Sequence, residues 1–151
     1  MKETWKELKQ SSRGRMIYLG LLLLLGLGYM GTEIRKVKLS RSLGSIEDLS
    51  KADVMQLDSL HGTSVGLQIG LLAIIGLYAL YILTGPSASL LTFVQVHAAV
   101  LAVLAVIGLL LALLFRASVL AMIQPLAGPA VIIGAVYFFY MVRQSFAKPA
   151  D

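Results

Sequence analysis

From residue 59 to residue 115 the chain carries no Asp, Glu, Lys or Arg, and only the breaker Gly85-Pro86-Ser87 interrupts this uncharged run. A hydrocarbon core about 30 Å thick is crossed by about 20 apolar helical residues, so the run holds two crossings. Two further apolar stretches flank it. The first, Met16 to Thr32, lies between Arg15 and Glu33 and is Leu-rich with several glycines; at about 17 residues it is near the lower limit for a span. The last runs from Ala117 to Val142.

The pattern predicts an all-α integral membrane protein: an up-and-down bundle of four transmembrane helices preceded by an interfacial N-terminal segment. The expected divisions of this single membrane domain are an interfacial segment 1–15, span 1 at 16–32, a loop with a short helix at 33–63, span 2 at 64–83, span 3 at 90–115, span 4 at 117–142 and a tail 143–151. In the N-terminal segment Trp5 and Leu8 lie one helical turn apart beside Lys6 and Lys9, which suits a helix lying on the membrane. After Tyr29 the chain reads Met-Gly-Thr-Glu-Ile-Arg, with no small-x-small cleavage pattern, so span 1 reads as a retained anchor.

Within the loop, Ser50 and Asp53 have the spacing of a capping box, and Val54, Leu57 and Leu60 then recur at helical intervals. A helix starting near Ser50 and running into span 2 is expected. Leu39, Leu43 and Ile46 allow a short surface helix ahead of it. In span 4, Pro125 and Pro129 each remove a backbone donor, which predicts a kink or local widening.

Composition sharpens this reading. The chain is 58% hydrophobic and 14% charged, against roughly one quarter charged in soluble domains. The net charge of +5 comes largely from Lys2, Lys6, Lys9, Arg13 and Arg15 before span 1 and Arg143 and Lys148 after span 4. Such bases set topology and touch anionic lipids; they place both termini in the cytoplasm, and the compact size points to a bacterial plasma membrane. Nucleic acid is not an expected partner. There is no cysteine, which removes disulfides, thiolate metal sites and cysteine nucleophiles.

Candidate chemistry is sparse, and no Walker loop, nucleophile elbow or His-Glu-x-x-His signature is present. On span 3, Gln95, Ala98, Ala102, Ala105 and Ala112 form a small-residue stripe suited to close helix packing; Gly66 with Gly70 and Ala130 with Gly134 offer similar surfaces. On span 2, His61, Ser64, Gln68, Leu71, Ile75 and Tyr78 share one side as a polar seam. His61, Gln68 and His97 are the candidate cofactor contacts, for a quinone or haem. The two histidines differ by about 25 Å in depth, too far apart to hold one haem between them. Tyr137-Phe-Phe-Tyr140 reads as an aromatic belt.

The function expected on these grounds is a non-catalytic accessory or structural subunit of a larger membrane complex, with the bilayer and other subunits or further copies as partners. A quinone-, haem- or pigment-binding subunit is the first alternative. A small transporter using Gln68, Gln95 and Gln124 is the second.

Overall fold

A computed structural model describes residues 2–43 and 50–147. Its elements are α1 (Lys2–Ser42), α2 (Lys51–Leu83), α3 (Ser87–Phe115), the short α4 (Val119–Ile123), a single 3-10 turn at Gln124–Leu126, and α5 (Ala127–Ala147). Four helical stretches are long and apolar enough to cross a membrane: Gly14–Ser42, Lys51–Leu83, Ser89–Phe115 and Val119–Phe146, the last combining α4, the 3-10 turn and α5. The protein is an all-α four-helix membrane bundle.

Helix α2 starts where its cap dictates. The Ser50 hydroxyl accepts from the Asp53 amide at 3.2 Å, and the Asp53 carboxylate accepts from the Ser50 amide at 3.1 Å, so two otherwise orphaned donors are satisfied reciprocally. Helix α3 closes with a Schellman arrangement: Ala117 donates to the Ala112 carbonyl at 2.9 Å and Arg116 to that of Leu113 at 3.3 Å. Arg116 takes the left-handed position usually given to glycine, with φ 51°.

Helix α1 is longer than the apolar pattern alone suggests. It begins at Lys2 and continues unbroken through Glu33 to Ser42. Glu33 ends the apolar stretch without ending the helix, because residues 33–42 contain neither Gly nor Pro and Glu33 pairs with Lys36 one turn on. Leu39 therefore belongs to α1, while Ile46 lies outside the described residues.

In the bundle α1 packs most extensively on α2 and α3 on α5, and contacts of α2 with α5 and of α1 with α3 close the ring. Sequence neighbours α2 and α3 share far less surface. The core contains Leu22, Met30, Leu71, Ile75, Leu90, Leu104 and Met122, all fully buried. Helices in lipid associate through close packing rather than through expulsion of water, so backbone approach matters. A methyl group on Gly26 would lie 2.8 Å from Leu104, and one on Gly128 would lie 2.7 Å from Leu72. Gly26 lets α1 approach α3, because Leu104 is fully buried and has no room to yield, whereas exposed Leu72 can turn aside from Gly128.

The expected irregularity in span 4 is present as a tightening, since the 3-10 turn separates α4 from α5. Pro125 has no N–H to offer the Ala121 carbonyl one turn back. The Tyr29 hydroxyl on α1 donates to that carbonyl instead, at 3.1 Å.

Two arginines fasten the connecting turns. Arg41 near the end of α1 donates to the Arg116 carbonyl at 2.8 Å, and Arg143 on α5 donates to the Gly85 carbonyl at 2.7 Å. One end of the bundle therefore gathers the C-terminal end of α1 and the α3–α4 turn. The other gathers the α2–α3 turn and the C-terminal end of α5.

Candidate functional site

Helix α3 buries Leu90, Phe93, His97, Leu104, Gly108 and Ala112, at steps of three, four or seven residues that keep one face inward. His97 is 1% exposed and has both ring nitrogens engaged. Its Nδ1 lies 2.7 Å from the Phe93 carbonyl, and a carbonyl only accepts, so Nδ1 carries a proton. In the neutral ring Nε2 is then the acceptor, and the Tyr18 hydroxyl of α1 stands 2.7 Å from it. Phe93 stacks on the imidazole with ring centroids 3.9 Å apart.

This pair forms part of the wall of a cleft of about 410 Å³ between α1, α2 and α3, at the end that carries the Gly85 turn. Tyr78, Phe93 and Val96 supply apolar and aromatic wall, while Arg15, Ser89 and Thr92 add polar groups. The rings of Tyr78 and Tyr18 are 4.8 Å apart, and those of Tyr78 and Phe93 5.7 Å. Because the Tyr18 proton is directed at His97, its oxygen retains capacity to accept from a ligand hydroxyl. Arg15 brings the opposite capacity, with five N–H donors and no acceptor.

A second polar cluster lies about 14 residues further along α1, roughly 21 Å away. Glu33 is 8% exposed, pairs with Lys36, and accepts from the Ser64 hydroxyl at 2.9 Å. The Thr32 hydroxyl lies 2.8 Å from the Ser64 oxygen and 2.7 Å from the Tyr29 carbonyl, and since the Ser64 proton goes to Glu33, Ser64 is the acceptor toward Thr32. These contacts satisfy a carboxylate held between α1 and α2, and they read as a structural clasp.

The sequence candidates fall into three groups. His97 lies in the cleft wall, whereas His61 is exposed on α2, in the turn before Ser64. Of the expected seam, Ser64, Leu71 and Ile75 are buried and Gln68 and Tyr78 half-buried, so the seam faces inward except at His61. The small-residue stripe divides: Gln95, Ala98 and Ala102 are exposed, Ala105 half-buried and Ala112 buried. The buried face of α3 lies about a quarter-turn away from that stripe, centred on His97 and Leu104. Gly66, Ala130 and Gly134 are likewise exposed, while Gly70 sits beside Leu25. Gln95 and Gln124 are exposed and Gln68 half-buried, so the three amides share no buried path.

The haem expectation meets a specific obstacle. Axial ligation requires a ring nitrogen free to face the iron. Nε2 of His97 faces Tyr18 and Nδ1 faces its own helix, so the side chain as placed does not fit that role. Tyr18 and Arg15 belong to no motif; the one available sign is a tyrosine three residues after the arginine that precedes span 1. No protein-family model, curated protein or solved structure matches the chain.

Proposed function

We propose that the chain is a small membrane subunit whose cleft holds the ring head of a lipid-soluble amphiphile of the quinone and quinol class. The observation that carries this reading is the Tyr18–His97 pair, set in an aromatic wall within a cleft of about 410 Å³. Ligand pockets of about 300–1,000 Å³, mostly apolar with a few converging polar groups, are the usual form of such sites. A quinol hydroxyl suits the Tyr18 oxygen, a ring carbonyl suits Arg15, and the ring face suits Tyr78 and Phe93.

The test is titration of the purified chain, in mild detergent, with a short-tailed benzoquinone and its quinol, followed by tyrosine fluorescence. Saturable quenching that weakens about tenfold in Tyr18→Phe, with helicity unchanged, is the expected result. Quenching that never saturates, or that is equal in the variant, would remove the reading.

A second reading, an accessory subunit acting through packing alone, is favoured by the outward position of Gln95, Ala98 and Ala102 on α3. An amide facing hydrocarbon is costly without a hydrogen-bonding partner, and small neighbours allow another helix to approach. The two readings coexist in a subunit that holds a ligand beside a larger partner. The density of bases before span 1 supports cytoplasmic termini, and the compact size is the support for a bacterial plasma membrane.

A further inference from the structure

The end of the bundle remote from the cleft combines surfaces that no single solvent suits. Helix α3 is uncharged over Ser89–Phe115, 27 residues, or about 40 Å of helix against a hydrocarbon core of about 30 Å. Its neighbour α1 is uncharged for only about 17 residues, or about 25 Å. The two nevertheless finish together, because Arg41 reaches the Arg116 carbonyl at 2.8 Å and the Lys38 ammonium stands 5.0 Å from the Phe115 ring centre. The last turns of α3 thus lie level with the charged turns of α1.

Leu110, Leu113 and Leu114 there are 61%, 72% and 73% exposed, and Leu120 just beyond is 71% exposed. Lys38, Arg41 and Arg116 are exposed at the same level. Among the described residues, the acids at this end are Glu33, paired with Lys36, Asp53, engaged in the Ser50 cap, and Asp58, exposed on α2 and in ion-pair contact with none of Lys38, Arg41 and Arg116, so the three cations outnumber it. The leucines reject water, and the cations reject hydrocarbon. An anionic headgroup with its acyl chain satisfies both at once.

We propose that this edge seats an anionic phospholipid, with its phosphate among Lys38, Arg41 and Arg116 and an acyl chain along the exposed leucines of α3. Arg41 donates one N–H to the turn and keeps others for a phosphate, while the Arg116 side chain is independent of the backbone carbonyl that Arg41 holds. The seat is separate from the cleft and does not rest on its ligand.

Native mass spectrometry of the full chain in mild detergent tests the proposal, with phosphatidylglycerol and phosphatidylcholine of identical chains as probes. Retention of phosphatidylglycerol is expected to dominate. Each cation near an anionic headgroup is worth about a fivefold change in partition, so Lys38→Gln with Arg41→Gln should lower the preference about 25-fold. Arg116→Gln, which leaves the Arg41 contact in place, should lower it about fivefold and keeps the test open if the double variant fails to fold. Lys38→Arg should preserve the preference. An unchanged preference in Arg116→Gln, or an equal loss in Arg143→Gln at the opposite end, would overturn the seat and leave only a response to net charge.

Discussion

The hydroxyl of Tyr29 stands in for the backbone donor that Pro125 lacks: it reaches the Ala121 carbonyl at 3.1 Å across the α1–α4 contact. A part-buried carbonyl stripped of its partner costs about 1 kcal/mol. Tyr29→Phe should destabilise the bundle by that amount in reversible unfolding. In a Pro125→Ala background the restored amide can serve Ala121, so the same change should cost less, with the hydroxyl's interaction with the Glu33 carboxylate as the remainder. A double-mutant cycle reads this coupling, and equal costs in both backgrounds would show that the hydroxyl acts elsewhere.

Gly26 should tolerate no branched side chain. Its missing Cβ would lie 2.8 Å from both terminal methyls of Leu104, which is itself fully buried. Gly26→Ile should therefore part α1 from α3 and lower stability by about 1–3 kcal/mol, the usual cost of overpacking. Gly20 faces open space, and Gly20→Ala should leave stability equal or slightly higher. Thermal unfolding of both variants in the same detergent separates the two cases.

The start of α2 depends on one side chain. Ser50→Ala removes the acceptor for the Asp53 amide, a loss of about 1 kcal/mol for a typical N-cap. The effect should be confined to the first turn, where amide exchange at Asp53 and Val54 should quicken while the core of α2 stays protected. Uniformly faster exchange along α2 would contradict a local cap.

Ser64 joins α1 to α2 through two partners, Thr32 at 2.8 Å and Glu33 at 2.9 Å. Ser64→Ala leaves the Glu33 carboxylate with Lys36 and the Tyr29 hydroxyl but without the Ser64 donor, and should cost about 1 kcal/mol. Ser64→Thr, which keeps a hydroxyl, should recover most of the loss. Chemical unfolding followed by circular dichroism measures both.

Features that local chemistry decides are legible in the sequence, and features that distant partners decide are not. Span number follows from uncharged length, and the start of α2 from Ser50 and Asp53, because both are properties of contiguous residues. The extension of α1 past Glu33 was not legible, since a charge marks a change of surroundings and not a helix end. On α3 the small residues pointed a quarter-turn away from the true core. Lipid and protein interior are equally apolar, so hydropathy carries no contrast between a face turned to Leu104 and one turned to Ala102. His97 is marked by the sequence as a candidate cofactor contact, but its partner Tyr18 is 79 residues away and depends on helix register that no local pattern encodes.

The two arginine clasps imply an order of assembly at the translocon. Arg41 is already synthesised when the Arg116 carbonyl emerges, so that turn can be fastened as it forms. The Gly85 carbonyl waits for Arg143, which follows it by 58 residues. The end of the bundle that carries the cleft is thus the last to be secured during biogenesis, and until then the cleft wall around Ser89 and Phe93 lacks its final brace.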